Sequence, residues 1–524
     1  MKRARALILL AAAALLLLPS IALAGGSTPP PTGFKVYPSV TQVSTDFVRV
    51  SWETYNSSTA TIRLAMSSNM SGSVTKQVAQ SSKAHNVEIG GLVRNTQYYY
   101  TVTSDGKTSP VGGFKTALYI NSGSSVSDFK RSWYYQALQY QGDLDLHAPL
   151  GRAAFLTTHN SYNAGVYSQN GSYIDPNQKL SIFNQLEVGI RAIEMDVHYT
   201  YSSSGFWPWE WQFGNELKLC HGNGDIGCHA NDRFFTQGLW EVRDWLDDNP
   251  DQVVIIYIED FIEGQYDKAI SEMDNIIGDL VYKPGSCRPL PMDLTKNDVL
   301  QAGKQILLIG GNCATPSWAA WVFHGHFPYT GHLENFTPYP DCGCDGKDAD
   351  YLQDFLVRIY EDRTTLSALF GNPGPYITAA SAAQMAKCGV GAIGLDQVVP
   401  FDSRLAAQVW SWGENEPNDW GTGEDCAVQR GDGRFNDMSC AVRFPAAGYS
   451  KQQDKWFVTS GSYTWAEAAA GVAREFPGTD VIFAVPVNGY DNARLQDYKV
   501  SRGIDSVWLN YSDQWYEGHW YPGY

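Results

Sequence analysis

Between residues 147 and 399 short apolar runs alternate with amphipathic stretches, and this alternation restricts the chain more than any other feature. Apolar runs lie at 153–156, 190–195, 253–258, 305–309 and 391–395. Helical spacing of apolar residues occupies 178–188, 238–246, 270–280, 351–359 and 381–387. In the second helix Leu239, Val242 and Leu246 form one stripe, and Asn249-Pro250 stops it before the next run. Continuous apolar runs suit strands buried on both faces, and strands joined through helices run parallel. A segment of roughly 250 residues has the size of one (β/α)8 barrel. The expectation is an α/β domain, a distorted barrel, over 146–402.

Four of the runs and strand-like stretches end abruptly in polar chemistry. F-L-T-T-H-N-S-Y, from Phe155 to Tyr162, stops in His159 and Asn160. Arg191-Ala-Ile-Glu194-Met-Asp196, Leu217-Lys-Leu-Cys-His221-Gly222 and Val253-Val-Ile-Ile-Tyr-Ile-Glu259 do the same. Strand ends are where a barrel delivers functional groups to its C-terminal mouth. Strand alternation puts Glu194 and Asp196 on one face, and two carboxylates inside a barrel are costly without a cation. Asn160, Glu194, Asp196 and Glu259 offer only oxygen, which suits Ca2+. The histidines titrate near neutral pH and can move protons. Each residue alone has a plainer role: a hydrogen-bonded histidine, a solvated acidic face, a helix cap at Glu259.

In order and spacing, H-N, E-x-D, H-G and a later strand-terminal Glu resemble the X region of phosphatidylinositol-specific phospholipase C, its calcium-dependent branch in particular. That resemblance implies cleavage of a phosphatidylinositol-type lipid at a membrane surface by attack of the inositol 2-hydroxyl, giving a cyclic inositol phosphate and diacylglycerol. It implies that His221 is the general acid for the leaving group and that His159 donates to the phosphoryl oxygen. Glu194 would take the hydroxyl proton, and Asn160, Glu194, Asp196 and Glu259 would hold calcium. Arg191 is expected to contact substrate. Asn160 stands where metal-free relatives carry an acid, and it is this residue that points to calcium. After Ile309 the inositol-phosphate-binding residues of the family are not recognisable. Trp207, Trp209 and Trp211 are expected in a loop at the barrel mouth, where amphipathic indoles favour a lipid interface. His324, His326 and His332 with Cys342 and Cys344 match no ordinary zinc spacing.

The flanks read differently. Residues 1–24 carry Lys2, Arg3 and Arg5, an Ala/Leu run and Ala22-Leu-Ala24, the pattern of a secretory signal peptide. Export permits disulfides, and Cys220/Cys228 and Cys426/Cys440 are close enough to bridge. With nine cysteines at least one thiol is left over within the chain. The formal charge of -17 repels phosphate backbones and excludes nucleic acid as a partner. Residues 28–117 hold short alternating runs, the pattern of a β-sandwich. Trp52, Val87-Glu-Ile-Gly-Gly-Leu92, Thr96-Gln-Tyr98 and Gly113-Phe-Lys-Thr116 resemble a fibronectin type III module. Residues 118–145 are expected to be a Ser/Gly-bearing linker.

The last segment, 403–524, contains Glu416-Pro417-Asn418, Glu424-Asp425-Cys426 and Phe435-Asn436-Asp437 followed by Cys440. These resemble the second half of a C-type lectin domain, an α+β fold. The resemblance implies calcium held by Glu416, Asn418, Glu424, Asn436 and Asp437, a cis bond before Pro417 and a mannose-type glycan as partner. Residues 455–520 resemble the first half, so a circularly permuted domain is expected, its natural termini joined through 449–454. The family's terminal disulfide would fall near Val472 and Gly448, and both cysteines are absent. The rival reading is a secreted glycan-binding adhesion protein with a catalytically inactive barrel. A third reading keeps the enzyme but changes its substrate to a GPI-type lipid or another phosphodiester.

Overall fold

The computed structural model describes residues 33–43, 47–93, 96–116, 124–168, 172–204, 212–221, 228–229, 231–325, 327–369, 376–420 and 423–523. Strands β1 (Phe34–Val43), β2 (Val48–Ala65), β3 (Val74–Ile89), β4 (Gln97–Ser104), β5 (Lys107–Thr108) and β6 (Gly112–Lys115) form an antiparallel N-terminal β domain. The long β2 pairs with β1 along its first part and with β4 along its last. Alternate residues of β2 turn inward, so that Val48, Val50, Trp52, Ile62 and Leu64 pack with Tyr98, Tyr100, Val102 and Phe114. This domain docks on the next one: Gln237 Nε2 donates to Glu88 Oε2 at 2.7 Å, and the Arg49 guanidinium lies 4.9 Å from the Phe234 ring centre.

The expected linker is more structured than its Ser/Gly content suggests. Helices Ser124–Lys130 and Trp133–Leu144 occupy it, and Ser132 caps the second by accepting from Tyr135 N–H. Phe129, Tyr140 and Leu144 are buried, and the second helix packs Leu138 on the barrel core and Tyr140 and Leu144 into the core of the C-terminal domain. Its Gln141 Oε1 accepts from the N–H groups of Trp410 and Ser411, and Tyr140 donates to Gly518 O.

The barrel strands are β7 (Phe155–Thr158), β8 (Ala192–Ser204), β9 (Gln212–Leu219), β10 (Val254–Phe261), β11 (Ile306–Gly310), β12 (Phe323–His324) and β13 (Tyr329–Gly331). A short hairpin, β14 (Phe336–Thr337) and β15 (Gly343–Cys344), precedes β16 (Val357–Tyr360) and β17 (Ala392–Leu395). The order is β12-β11-β10-β8-β7-β17-β16-β13, every neighbouring pair parallel, with β9 added antiparallel to β8. Among the described residues no ladder joins β12 to β13, so the barrel is open there. The buried face of helix Phe235–Asp248 is the expected Leu239, Val242, Leu246 stripe, extended by Trp245. One helix was misjudged from sequence. The expected helix 351–359 is a short helix, Ala349–Asp354, that stops where Phe355 turns extended, and residues from Val357 form a strand.

In the C-terminal domain β18 (Cys426–Gln429) and β19 (Phe435–Met438) pair with each other, and β20 (Ala447–Ser450) forms a hairpin with β21 (Lys455–Val458). β20 also pairs with β22 (Ile482–Phe483), and β18 with β23 (Val507–Ser512), which pairs with β24 (Tyr521–Pro522). Residues 410–448 and 455–520 thus interleave in one unit, completed by helices Trp465–Glu475 and Gly489–Ser501. Arg152 joins this unit to the barrel through Asp454 at 2.9 Å.

Disulfides link Cys220–Cys228, Cys287–Cys313, Cys342–Cys388 and Cys426–Cys440, and Cys344 is a buried free thiol. No helix among the described residues is long and apolar enough to cross a membrane.

Candidate active site

The parallel register of β7, β8, β10, β16 and β17 assembles one polar cluster at the C-terminal ends of the strands. Glu259 of β10 sits beside Asp196 of β8, and Tyr257 beside Glu194. Leu395 of β17 pairs with Thr158 of β7, so the next residues, Asp396 and His159, are neighbours. His159 Nδ1 and Asp396 Oδ2 lie 3.2 Å apart. Asn160 adopts φ 46°, a left-handed conformation that Asn tolerates better than most residues. Its backbone N–H donates to Glu194 Oε2 at 3.0 Å.

Glu194, Asp196 and Glu259 place carboxylate oxygens within 4.8 Å of one another. Tyr162 donates to Asp196 Oδ2 at 2.8 Å and to Asn160 Oδ1 at 3.3 Å, which orients both side chains. Asp196 Oδ1 is buried with no hydrogen-bond partner among the described residues. Burial, with Glu194 and Glu259 alongside, pushes the Asp196 carboxyl well above the usual carboxylate range. Burial and Glu194 also raise Glu259. An orphaned carboxylate oxygen within an all-oxygen group is the donor set a hard divalent cation takes, and Asn160, Glu194, Asp196 and Glu259 fit such an ion.

The sequence did not reveal the positive charge already present. Arg358 of β16 makes an ion pair with Glu194, with both side chains almost fully buried. Its guanidinium carbon lies 4.4 Å from the Tyr360 ring centre, 5.2 Å from Tyr257 and 5.5 Å from Phe327. Burial opposes ionisation of Glu194, but Arg358 and His159 hold its carboxyl below the ordinary range. The Glu194 carboxylate, expected to take a proton, is thus already engaged by Arg358 and by the Asn160 N–H.

Asp396 is the second residue missed. Fully buried, it accepts from His159, from Gln178 Nε2 at 2.8 Å and from Arg363 N–H at 2.6 Å. Burial pushes it up to about 7 while His159 pulls it down. Burial disfavours the His159 cation, but the hydrogen bond and charge of Asp396, with Glu194 behind, outweigh it and raise His159 to about 9. Between about 7 and 9 the pair is an imidazolium facing a carboxylate.

The remaining expected residues are placed less uniformly. His221 is exposed two residues beyond β9, next to Cys220, whose N–H donates to Asp196 O at 3.3 Å and whose sulfur bonds to Cys228. Arg191 is not available to substrate. It lies just before β8, five residues ahead of Asp196, buried against the Trp245 ring, and donates to the carbonyls of Leu186 and Ile190 and to Gln252. Trp207, Trp209 and Trp211 lie outside the described residues, as does His326.

In the C-terminal domain the Glu416–Pro417 bond is cis. Asn418 donates to Glu416, and the N–H groups of Asn418 and Asp419 donate to Asp437 Oδ2 at 2.8 and 2.6 Å. Trp420 N–H donates to Glu424 Oε2 at 3.1 Å. Burial and the adjacent Asp437 push Glu416 up to about 7. Asp437 Oδ1 is buried without a partner among the described residues, so this oxygen set also fits a divalent cation. Asn436 is the exception, its Oδ1 accepting from Arg430 at 3.1 Å. Asp419, Asp425 and Glu517 form a further group of carboxylates, within 4.8 Å of one another, that the sequence did not single out.

Comparison with known proteins agrees with the division into a barrel and an N-terminal β domain. Residues 121–402 match the family described as the Rv2075c PI-PLC-like domain, and residues 34–116 match the purple acid phosphatase N-terminal domain. The uncharacterized protein Rv2075c of Mycobacterium tuberculosis is 31% identical over 414 residues, 73% of this chain and 80% of its own length. An uncharacterized secreted protein of Arthroderma benhamiae is 25% identical over 46% of this chain and 49% of its own. Phosphatidylinositol-specific phospholipase C from Listeria monocytogenes is 17% identical, with a TM-score of 0.34 over 52% of this chain and 97% of that structure.

Proposed function

The chain belongs to the Rv2075c PI-PLC-like family, and from that premise we propose that it is an exported, calcium-dependent phosphodiesterase acting on phosphatidylinositol-type lipids. The observation that carries this reading is the His159–Asp396 pair beside the carboxylates Glu194, Asp196 and Glu259 at the strand ends. Such a site offers an imidazolium to a phosphoryl oxygen and an oxygen cage to a cation, the two charges a phosphodiester transition state needs.

In the proposed reaction the inositol 2-hydroxyl oxygen forms a bond to phosphorus and the bond to the glycerol oxygen breaks. Cyclic inositol phosphate and diacylglycerol result. His159, protonated and fixed by Asp396, donates a hydrogen bond to a non-bridging phosphoryl oxygen. Glu259, half-buried and without an ion-pair partner among the described residues, takes the hydroxyl proton in place of Glu194, which Arg358 engages. His221 gives its proton to the leaving oxygen, which requires its exposed side chain beyond β9 to meet the substrate. Asn160, Glu194, Asp196 and Glu259 would hold calcium, which when bound supplies positive charge to the phosphoryl group and acidifies the hydroxyl.

The C-terminal domain is proposed to be a permuted C-type lectin-like module that holds the enzyme on mannose-type glycans through calcium. Three features support this: the oxygen set of Glu416, Asn418 and Asp437 with its unpartnered Asp437 Oδ1, the β20–β21 hairpin across the expected junction, and the nearness of the two positions that lack the family's cysteines. A Cβ built on Gly448 would meet Val472 Cγ1 at 3.3 Å. The N-terminal domain is proposed to be a fibronectin type III-like spacer. Export is supported by the charged and apolar residues 1–24 and by four disulfides.

The test is incubation of the full-length protein with phosphatidylinositol vesicles, with calcium or with chelator, and assay for cyclic inositol phosphate. Product should require calcium and vanish in His159→Ala and His221→Ala. No product under any metal condition would leave a glycan-binding protein with an inactive barrel. Product only from a GPI-type lipid would keep the chemistry and change the substrate.

A further inference from the structure

Arg358 is placed to do more than neutralise a carboxylate. It is the one guanidinium facing the carboxylate trio among the described residues, and it pairs with Glu194 alone of the three. Glu194 Oε2 already accepts from Asn160 N–H, so the same oxygen serves two donors. Arg358 Nε is buried with no hydrogen-bond partner among the described residues. The guanidinium is cradled by the rings of Tyr257, Phe327 and Tyr360, and Tyr360 in turn packs against His159, ring centres 4.9 Å apart. Arg358 and His159 thus both pack against one tyrosine ring. Where both can reach, an anion with several oxygens binds best.

We propose that Arg358 is an exchangeable counter-ion, held by Glu194 in the free protein and passed to the phosphoryl oxygens of the substrate once Glu194 turns to a bound divalent cation. The proposal rests on the calcium reading above and adds a thermodynamic consequence to it. Glu194 cannot fully satisfy Arg358 and a cation at once. A phosphate ester that accepts Arg358 frees Glu194, and a cation that occupies Glu194 frees Arg358. Cation and ester therefore bind cooperatively, and each raises the affinity of the other by the same factor. The buried Nε and the planar fork supply the donors for this exchange without new groups entering the site.

The experiment is calorimetric titration of calcium chloride into the full-length protein, with and without saturating myo-inositol 1-phosphate, repeated in Arg358→Met and Arg358→Lys, all in a Glu416→Gln background that removes the second proposed calcium site and counts as wild type at the barrel. In the wild type the ester should tighten calcium binding about tenfold or more, within the usual range of coupling between sites. Arg358→Met should bind calcium more tightly than wild type without ester, because the competitor for Glu194 is gone, and should show no tightening when ester is added. Arg358→Lys keeps the charge but loses the fork and should retain part of the coupling. Weaker calcium binding in folded Arg358→Met, or coupling that survives in it, overturns the exchange while leaving the calcium reading intact. No calcium binding by the wild type in either condition overturns both, and Arg358 is then the resident cation of a metal-free site.

Discussion

Substituting Asp396 by Asn tests the electrostatic logic of the site most directly. In the wild type the His159 imidazolium is stabilised by one buried carboxylate at 3.2 Å, with Glu194 behind it, against a burial cost of opposite sign. Without the Asp396 charge, burial becomes dominant, and His159 should titrate at its ordinary value or below. A fall from about 9 to 6.5 corresponds to about 3 kcal/mol of lost preference for the protonated form. At pH 7.5 the protonated fraction should drop from roughly 97% to roughly 10%. Two-dimensional NMR of the histidine side chains, with His159 assigned by its absence in His159→Ala, reads this directly. The alkaline limb of kcat/KM should move in step, from about 9 in the wild type to the pH range just below 7. The introduced amide would also turn its N–H donors toward Gln178 Nε2 or the Arg363 N–H, which now donate to the carboxylate, so some loss of stability, about 1–3 kcal/mol, accompanies the change. A His159 resonance titrating below 7 in the wild type, or an unmoved one in a folded Asp396→Asn protein, would refute the reasoning.

Other substitutions probe the supports of the site and the second domain. Tyr162→Phe removes the hydroxyl shared by Asp196 and Asn160 and should cost about 1–3 kcal/mol; thermal unfolding should show a lower Tm that calcium partly restores, and an unchanged Tm would count against an orienting role. Gly394→Ala sets a Cβ 2.5 Å from Tyr360 Cβ. The overpacking should cost about 1–3 kcal/mol in urea unfolding and blunt activity by displacing Tyr360 and Arg358, whereas wild-type activity would show that β16 has slack. Glu416→Gln should abolish calcium-dependent retention on a mannose column while leaving phosphodiesterase activity intact; parallel loss of both would tie the C-terminal cluster to the barrel chemistry instead.

What the sequence revealed and what it hid follow from the range of the interactions. Glu194 and Asp196 were legible because strand alternation is a local property, and the ladder set Glu259 beside them as expected of adjacent parallel strands. That residues 410–448 and 455–520 pair into one unit was legible because short motifs in both stretches pointed to a common fold. Arg358 was hidden by a local ambiguity. Y-L-Q-D-F-L-V-R-I-Y satisfies a helical stripe over its whole length, and only packing against β13 and β17 makes its second half a strand. An arginine expected on a helix was never a candidate for the barrel mouth.

Arg191 erred the other way: it shares a run with Glu194, but its guanidinium is spent on carbonyls just before β8. Asp396 is the more instructive omission. The run 391–395 ends in an acid just as 155–158 ends in His159, and the rule that drew attention to His159 applies equally to it. In a parallel sheet the first residues past adjacent strands become neighbours by register, and here the Leu395–Thr158 pairing makes Asp396 the partner of His159. A histidine ending one apolar run and an acid ending another therefore predict a pair once their strands are adjacent, and strand order is the only information that single-residue motifs lack.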